Sequence, residues 1–418
     1  MPLAIGLMSG TSADGIDAAL VRFTGKKISV ITFKTTPIPS ALQKRILAVS
    51  PPSSGQQKEV RRLDQKLGEL FAGTVIRLCR QARIPLRKIN FIGSHGQTIR
   101  HEGRKGTLQI GDPQLIAART GMTTVADFRQ ADIRAGGEGA PLGPFLHYYL
   151  FRHPKRDRAV HNLGGISNLT FIPRGARLDQ VTGFDTGPGN MLIDGLTRRF
   201  FGRRFDRDGA IASKGVVSLP LLHELMQDGF VAKRPPKSAG REQFGEKFLR
   251  RLIRRGRQLK LKERDLVATA TAFTAASLAE SYRRFTGLPE EIIFGGGGVH
   301  NRTLMQMIRA ELPGVKISTF EDHRTGISSD SFEAVLFAVL ARETLQGRPA
   351  NLPKVTGARR AVVLGRIISE REERSGRLRG PVPPDDIAPS SQGHSNSRHK
   401  DGCKSSHRRR GREYIPDG

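Results

Sequence analysis

The sequence predicts an α/β protein with layered sheets, and three observations lead to that prediction. Short apolar runs typical of buried strands recur along the chain, several of them run into Gly-rich turns, and helical patterns lie between them. The chain of 418 residues is long enough for two or three domains. Because 37% of the residues are hydrophobic and 26% are charged, the composition is that of a globular protein rather than a disordered one.

The predicted strands are the apolar runs that end in glycine or in polar turns. The first covers residues 3–8, and a second follows a Gly-rich turn and covers 16–23. Further strands are predicted at 89–96, at 123–128, on both sides of a Gly-Gly turn within 158–173, and from 291 into a run of four glycines.

The predicted helices fill the intervals between these strands. Residues 330–345 carry apolar side chains at i, i+3, i+4, i+7 and i+8, which form one stripe of a helix. Residues 191–201 repeat apolar side chains every fourth position, and the Ala/Thr-rich run 266–282 is typical of a tightly packed helix. Alternation of such helices with strands is the pattern of α/β folds.

The net charge of +30 raises the question of nucleic-acid binding. Residues 371–418 contribute only +4 of this charge, and the rest is scattered over the body of the chain. No aromatic-interleaved basic motif and no helix-turn-helix pattern accompanies it, so we expect solvated helix faces and no specific nucleic-acid partner.

The last segment of the chain differs in composition from the rest. From about residue 375 it is rich in Pro, Ser and Gly, with almost no apolar residue to pack, so the sequence predicts a disordered basic tail at 371–418. We therefore expect the folded unit to end near Ile368, after an apolar run.

Cysteine content and the N-terminus indicate the compartment. The two cysteines, Cys79 and Cys403, lie in a helical run and in the tail, so we expect no stabilising disulfide. The chain begins without the basic and apolar regions of a signal peptide, and no apolar stretch is long enough to span a bilayer. We expect a cytoplasmic protein with no membrane partner.

The first Gly-rich turn, at residues 6–17, is a candidate phosphate loop. Small residues allow backbone N–H groups to approach a phosphate, and the hydroxyls of Ser9, Thr11 and Ser12 add donors. The pattern matches neither the Walker A motif nor the dinucleotide fingerprint. A hairpin turn that merely needs glycine explains this segment as well.

A second Gly-rich turn, at 183–190, contains Asp185. We predict this aspartate at the end of a strand, just before a helix N-terminus, where its carboxylate could act as the base in phosphoryl transfer. The alternative is an Asx-turn or a helix cap.

A third turn, at 295–301, follows a buried strand and contains four glycines. Such a run is costly to order, which favours a flat or bulky ligand lying against the backbone over a flexible turn. Two more segments, 94–98 and 127–142, offer the polar groups of a sugar pocket. Taken singly, His95 is more often a structural histidine and Arg129 more often an ion-pair partner.

Together these segments resemble the anhydro-N-acetylmuramic acid kinase family. The matching blocks run in order from GLMSGTSADGID through SHGQT, LQIGDP, VADFR, AGGEGAPL, NLGGISNLT, FDTGPGNMLID, DRDGAIASKG, PPKSAGRE, FGGGGVHN and GISSDSFEAVLFA to NLPKVTGA, and they span residues 6–358. The resemblance implies a two-domain, actin-like fold of the hexokinase and Hsp70 type, with a central cleft between the domains. We expect an N-terminal domain at 1–127, completed by about 346–370, and a C-terminal domain at 128–345.

The resemblance also implies the roles of particular residues. It makes Asp185 the catalytic base, with Glu333 helping to position the attacking water. The expected ATP-binding residues are Gly10, Thr11, Ser12, Ala13, Asp14, Gly15, Ile16, Asp17, Gly164, Gly187, Gly296, Gly297 and Asn301. The expected substrate-binding residues are Ser94, His95, Gln97, Arg129, Glu138, Pro141 and Asn162. The capping-box spacing of Asp330 and Glu333 leaves helix capping as an equal explanation for Glu333.

The implied reaction uses ATP and Mg²⁺ as cofactors and is unusual for a kinase. Water attacks C1 of 1,6-anhydro-N-acetylmuramic acid while O6 takes the γ-phosphoryl group, which yields N-acetylmuramic acid 6-phosphate and ADP in the recycling of cell-wall sugar. The resemblance further implies a homodimer, and it leaves the metal ligands open. Glu138 stands where the family usually has Gln, which puts a negative charge near an anionic substrate.

Two alternatives remain from the sequence. The first keeps the fold and replaces the substrate with another sugar. The second is a non-enzymatic ATP-dependent or nucleic-acid-binding protein, suggested by the isoelectric point of about 11.1. The blocks that contain Asp185 and His95 argue against the second, since a binding module needs neither.

Overall fold

The structure is a computed structural model that describes residues 1–25, 27–323 and 325–369. The strands are β1 Leu3–Ser9, β2 Gly15–Thr24, β3 Lys27–Pro37, β4 Phe91–His101, β5 Thr107–Ile110, β6 Thr124–Ala126, β7 Arg158–Leu163, β8 Ile166–Ile172, β9 Thr182–Pro188, β10 Glu291–Gly295, β11 Lys316–Thr319 and β12 Arg366–Ile368. The helices are α1 Ser40–Ala48, α2 Gln57–Gln81, α3 Pro113–Thr120, α4 Gln130–Arg134, α5 Gly143–Phe151, α6 Met191–Phe201, α7 Leu219–Met226, α8 Gly229–Ala232, α9 Arg241–Phe244, α10 Glu246–Gln258, α11 Glu263–Ser281, α12 Arg302–Glu311, α13 Phe332–Leu345 and α14 Pro353–Thr356. The predicted tail lies outside the described residues.

The strands form two sheets with the same internal order. The first sheet runs β12-β6-β4-β1-β2-β3, with β5 paired to β4, and the second runs β11-β10-β7-β8-β9. In each sheet three consecutive strands are antiparallel. A later strand pairs in parallel with the first of them, and a further strand pairs in parallel with that one. The α/β fold class predicted from the sequence is confirmed, as are the strands and helices predicted along it. The domain boundaries remain a prediction.

The pairing in the first sheet gathers three of the predicted site segments. β1 and β2 form an antiparallel hairpin in which Met8 faces Asp17, so the turn between them lies at the carboxyl end of β1. β4 is parallel to β1, with Ser9 opposite Gln97, and β6 is parallel to β4. Because parallel strands end at the same edge, the Gly-rich turn, the segment from Ser94 and the segment from Arg129 meet there.

The second sheet repeats this arrangement. β10 is parallel to β7, with Gly295 opposite Asn162. β9 is antiparallel to β8, which is antiparallel to β7, so β9 points the same way as β7. The turn at 164–165, the end of β9 and the four-glycine segment therefore share one edge of this sheet.

Helix α13 packs directly on the first sheet because two strands carry glycine where it crosses. A Cβ added at Gly6 would overlap the carbonyl oxygen of Ala334, and one added at Gly93 would overlap that of Phe337. No side chain larger than hydrogen fits at either position. This close approach places the first turn of α13, with Glu333, beside the strand ends that carry the site.

One hydrophobic core joins the two sheets. It includes Ala4 and Val125 from the first sheet, Val160 and Ile293 from the second, and most of α13. Burial of this shared cluster is the main stabilisation that holds the two sheets in one unit. Among the helices of the described residues, none combines the length and hydropathy needed to cross a lipid bilayer.

Candidate active site

The Gly-rich turn between β1 and β2 is tight and open to solvent. The amide of Ala13 donates to the carbonyl of Gly10 at 3.0 Å, and Ala13 itself has a φ of 51°. Thr11 and Ser12 are exposed, and a Cβ added at Gly10 would meet no atom within 4 Å. The hairpin turn is confirmed, and phosphate binding by its exposed amides and hydroxyls stays a prediction.

The end of β4 is held to this turn by a buried polar contact. Ser9 Oγ lies 2.7 Å from Gln97 Oε1 and 2.8 Å from the carbonyl oxygen of Gly15. The contact fixes the predicted substrate residue Gln97 beside the predicted phosphate loop. Ser94 Oγ, also on β4, is buried and has no hydrogen-bond partner among the described residues. A buried hydroxyl without a partner is costly, which is consistent with a site that a ligand completes.

His95 is neutral in this structure. Its Nε2 lies 3.1 Å from Arg129 Nε, which always carries a proton, so Nε2 accepts and Nδ1 donates to the carbonyl of Gly96 at 3.1 Å. Burial and the charge of Arg129 lower the pKa of His95 well below its ordinary value. The ring also packs on Phe337, with centroids 4.5 Å apart. These contacts give His95 the structural role considered from the sequence. Its contact with Arg129 also links two predicted substrate residues.

Arg129 is held by neutral acceptors. Besides His95, it donates from Nη1 to the carbonyl oxygen of Gly139 at 2.9 Å. Burial lowers the pKa of Arg129 to about 10, and the charge of Glu333 opposes that shift, so the guanidinium remains charged at neutral pH. Within the part of the chain that the structure describes, Arg129 makes no ion pair within 4 Å, so its charge is available to a ligand.

The capping interpretation of Glu333 is wrong. Helix α13 begins at Phe332 with Ser331 at the N-cap, so Glu333 is the second helical residue and no side chain caps the helix. The spacing of a capping box requires the acidic residue one position later. Asp330 lies before the cap, because the serines at 328 and 331 bond to each other and form the turn that starts the helix.

Glu333 belongs to a group of interacting charges at the sheet edge. Although its side chain reaches solvent, the protein around it displaces water and raises its pKa, Arg129 lowers the pKa, and Asp17 raises it. The pKa of Asp17 is likewise raised by burial, against the bond from Thr35, and by the charges of Asp14 and Asp330. The structure thus brings Asp17 near Glu333, and Glu333 near Arg129 and, through it, His95.

Asp185 lies within strand β9 and not on the turn that follows it. The prediction of a strand end is wrong because β9 continues to pair with β8 as far as Pro188, with Asp185 opposite Asn168. Helix α6 begins at Met191 with Asn190 at its N-cap, so Asp185 does not cap it. Burial raises the pKa of Asp185 to about 6, against hydrogen bonds from Ala239 and Ser238 that lower it.

The partners of Asp185 come from a segment to which the sequence assigned no role. Its Oδ2 accepts from the amide of Ala239 at 2.8 Å and from Ser238 Oγ at 3.3 Å, and its own amide donates to the carbonyl of Lys237 at 3.1 Å. The block PPKSAGRE, which contains these residues, was the available signal. Its small residues allow the segment to approach β9 closely.

The glycines at the edge of the second sheet pack backbone against backbone. The amides of Gly189 and Asn190 donate to the carbonyls of Gly165 and Gly164 at 2.9 and 2.8 Å. Gly296 has a φ of 83°, and a Cβ there would lie 2.5 Å from Asn162 Oδ1. Close packing therefore explains part of the predicted ATP-binding set, and it draws Asn162, Gly164 and Gly296 together.

Three other predicted ATP-binding residues have different surroundings. A Cβ added at Gly187, whose φ is 151°, would lie 2.7 Å from Ser277 Oγ. Asn301 is the N-cap of α12, and its side chain accepts from the amide of Leu304 at 3.0 Å. Only open space surrounds the position of a Cβ on Gly297, which leaves room for a ligand at this point.

The loop after Arg129 is braced by a buried carboxylate. Asp132 accepts from the amide of Gly139 at 2.8 Å, from Thr356 Oγ1 at 2.7 Å and from Asn351 Nδ2 at 2.6 Å. Glu138, on the same loop, forms an exposed ion pair with Arg104 at 3.0 Å. The pair offsets part of the negative charge of Glu138. Pro141 follows this loop and precedes α5.

Candidate metal ligands are sparse. Within residues 1–25, 27–323 and 325–369, no group of three or more His, Cys, Asp or Glu side chains could hold a metal ion. Mg²⁺ commonly binds through one or two carboxylates together with substrate phosphates and water. Asp17, next to the candidate phosphate loop, fits that requirement.

Comparisons with known proteins find relatives over nearly the whole chain. The family model for anhydro-N-acetylmuramic acid kinase matches residues 2–370. An anhydro-N-acetylmuramic acid kinase of Caldanaerobacter subterraneus subsp. tengcongensis is 44% identical over 384 residues, which cover 87% of this chain and 96% of that protein. One of Bacillus cereus strain G9842 is 43% identical over 376 residues, which cover 87% of this chain and 98% of that protein. A solved ROK hexokinase of Thermus thermophilus is 15% identical, covering 82% of this chain and 99% of that one with a TM-score of 0.38.

Proposed function

This chain belongs to the anhydro-N-acetylmuramic acid kinase family, and from that premise we propose that it phosphorylates 1,6-anhydro-N-acetylmuramic acid with ATP while water opens the anhydro ring. The products are N-acetylmuramic acid 6-phosphate and ADP. One molecule of water is consumed, since C1 gains a hydroxyl group as O6 gains the phosphoryl group. The activity places the enzyme in the recycling of cell-wall sugar and in amino-sugar degradation.

The observation that carries the proposal is the environment of Asp185. A general base works best when its pKa lies near the operating pH, and burial raises the pKa of this carboxylate to about 6. It is therefore ionised at neutral pH and yet more basic than an exposed aspartate. The amide of Ala239 holds one of its oxygens and fixes its orientation.

The proposed chemistry has Asp185 take a proton from the attacking water. The water oxygen then bonds to C1, the C1–O6 bond breaks, and the electron pair of that bond remains on O6. O6 attacks the γ-phosphorus of ATP, and ADP leaves. The new bond from the water oxygen to C1 replaces the C1–O6 bond, and the new bond from O6 to phosphorus replaces the bond to ADP. One proton is released from water, and Asp185 accepts it.

The residues around Glu333 and Arg129 support substrate binding. Arg129 is charged, is held by neutral acceptors, and offers a cation to the carboxylate of the muramic acid substrate. Ser94 supplies a buried hydroxyl without a partner among the described residues. We assign Ser94, His95, Gln97, Arg129, Glu138, Pro141 and Asn162 to the sugar pocket, with Glu333 oriented toward the attacking water.

The nucleotide belongs to the two Gly-rich edges in this proposal. Residues 10–17 take the phosphates through exposed amides and hydroxyls, and Gly296, Gly297 and Asn301 take the nucleoside side, with Gly164 and Gly187 supporting them. When bound, Mg²⁺ neutralises the phosphate charge that develops during transfer. Asp17 is the carboxylate that would hold it. A homodimer, a cytoplasmic location and the domain boundaries given above remain part of the proposal.

The test is product analysis with purified protein. ADP release should be measured with the anhydro sugar, with N-acetylmuramic acid and with glucose, and the products should be weighed by mass spectrometry. Turnover of the anhydro sugar should give a product heavier by one water and one phosphoryl group. In oxygen-18 water the label should appear on C1 and not on the phosphate.

Two results would contradict the proposal. Phosphorylation of ordinary hexoses in preference to the anhydro sugar would indicate a kinase for another sugar. Steeply salt-dependent DNA binding with no turnover of any sugar would support the non-enzymatic alternative.

A further inference from the structure

A buried lysine, Lys237, belongs to the segment that contacts Asp185. Lys237 is only 5% exposed, and its Nζ donates to the carbonyl oxygens of Phe230 at 3.1 Å and Val231 at 3.2 Å. The ammonium lies 4.8 Å from the ring centroid of Phe285, 4.9 Å from that of Phe230 and 5.8 Å from that of Phe184. We call these three rings and two carbonyls the lysine cage.

A charge in such a place is expensive to maintain. Burial lowers the pKa of Lys237 to about 8, so the ammonium is still charged at neutral pH. Within the described residues it makes no ion pair within 4 Å, and cation–π contacts and carbonyls replace its hydration. An apolar side chain would fill the cage at lower cost to stability. The charge therefore calls for a role beyond packing.

The backbone next to Lys237 holds Asp185 at three points. The carbonyl of Lys237 accepts from the amide of Asp185, and the amide of Ala239 and the hydroxyl of Ser238 donate to the Asp185 carboxylate. Phe184, a wall of the cage, directly precedes Asp185 on β9. The lysine cage thus holds both partners of the contact, Phe184 beside Asp185 and Lys237 beside Ser238 and Ala239.

The segment that makes these contacts is irregular, with Ala239 packed on a neighbouring hydrophobic cluster. Residues 233–240 connect α8 with α9 and form no helix or strand. Lys233 and Arg234 are exposed, whereas Lys237 is buried. A short irregular segment keeps one backbone conformation only if a side chain anchors it. The buried side chain of Lys237, bonded to two carbonyl oxygens of α8, can serve as such an anchor.

The charges around the two residues define the electrostatic effect. Lys237 lowers the pKa of Asp185, and Glu242 raises it. Arg284 and Lys233 lower the pKa of Lys237, and Asp185 raises it. Among the described residues, Lys237 is thus the charged group that favours the ionised form of Asp185, and Glu242 opposes it.

We propose that Lys237 is a positioning residue for the reaction: caged among Phe184, Phe230 and Phe285, it anchors residues 237–239 so that they hold the Asp185 carboxylate in place and ionised. The inference rests on the role of Asp185 as base in the proposed function. It adds a second contribution to that role, because removal of the ammonium would both loosen the clamp and withdraw a favourable charge.

The experiment compares Lys237→Met with Lys233→Met in the full-length enzyme. Methionine fills the cage but carries no charge, and Lys233 is an exposed lysine of the same segment. Lys237→Met should lower kcat about 10–100-fold, the loss expected when a catalytic group is misplaced by about 1 Å, with the KM for ATP nearly unchanged. The acidic limb of its kcat/KM profile should move to higher pH. Lys233→Met should match wild type in both.

A second variant covers the case in which Lys237→Met does not fold. Phe285→Leu keeps the lysine and its charge but removes one wall of the cage, so kcat should fall. A folded Lys237→Met with wild-type kcat and pH profile would overturn the inference, as would a folded Phe285→Leu with wild-type kcat. Asp185→Asn separates the two proposals: if it retains near-normal kcat, the assignment of Asp185 as the base in the proposed function fails, and if it is inactive while Lys237→Met is normal, only this inference fails.

Discussion

The Asp185 carboxylate and the amide of Ala239 form a hydrogen bond of 2.8 Å across 54 residues of sequence. Asp185 lies in strand β9, away from the start of helix α6, and the hydrogen bond from Ala239 orients its carboxylate. Helix capping therefore cannot account for Asp185, and general-base catalysis becomes directly testable.

Asp185→Asn should lower kcat about 10²–10⁴-fold, the usual contribution of a general base. Asparagine keeps the size of the side chain and an oxygen that can accept from Ala239, but it cannot take a proton. Steady-state kinetics should find the KM for ATP nearly unchanged, since the lost interaction acts mainly in the transition state. Circular dichroism should verify the fold. A near-normal kcat would transfer the base role to Glu333 or another carboxylate.

The pKa of about 6 for Asp185 predicts the acidic limb of the pH–rate profile. The base must be ionised, so kcat/KM for the sugar should fall as pH drops below about 6. The profile should be measured with the anhydro sugar at saturating ATP. An acidic limb near pH 4, where an ordinary aspartate titrates, would show that the pKa of the base is not raised.

The same shift predicts that Asp185 lowers the stability of the folded enzyme. Its folded pKa of about 6 exceeds the ordinary value of 3.8, so the folded state binds the proton more tightly and stability falls as pH rises between these values. Asp185→Asn cannot ionise. The free energy of unfolding of the variant should therefore exceed that of wild type by a margin that grows from about pH 4 to about pH 7 and reaches at most about 3 kcal/mol. Its Tm should rise above that of wild type over the same range. A Tm difference independent of pH would contradict the prediction that ionised Asp185 destabilises the folded enzyme.

Gly10→Val tests the phosphate loop. The position has open space around it, so the variant should fold, but a branched side chain would keep the backbone from a phosphate. Loss of one charge-assisted hydrogen bond costs about 1.5–3 kcal/mol, so the KM for ATP should rise about 10–100-fold. Gly229→Val, at another open glycine, serves as the control. Unchanged ATP kinetics in folded Gly10→Val would remove this turn from the nucleotide site.

Glu333→Gln tests the charge group at the edge of the first sheet. The change removes the negative charge that acts on Arg129 while the helix start, formed by Ser328 and Ser331, stays intact. We expect kcat/KM for the sugar to fall about 10-fold or more with little change in Tm, as for the loss of one charged contact. Glu263→Gln, which changes an exposed glutamate in the first turn of α11, is the matched control. Wild-type kinetics would leave Glu333 without a role in catalysis.

Deletion of residues 375–418 should leave both kinase activity and Tm nearly unchanged. The segment lies outside the described residues, and its composition offers almost no apolar side chains that could pack on the body. A thermal melt and an ADP-release assay on the truncated enzyme check this. A large loss of either would indicate that the tail packs on the body.

The sequence by itself determined the elements and the turns between them. Strand β1 was predicted from its apolar run and helix α13 from its periodicity, and both patterns depend on residues a few positions apart. The glycines of the candidate site were evident for the same local reason, since a tight turn or a close approach excludes other residues. The ordered series of blocks also indicated the family.

Only the tertiary structure decided which of these segments meet and what their side chains experience. The parallel pairing of β1 with β4 joins residues almost ninety positions apart and brings Ser9 to Gln97. The continued pairing of β9 with β8 put Asp185 inside a strand, and its partners came from residues 237–239. No local pattern encodes such contacts, because the burial that raises a pKa and the cage that holds a lysine are made by chain segments distant in sequence.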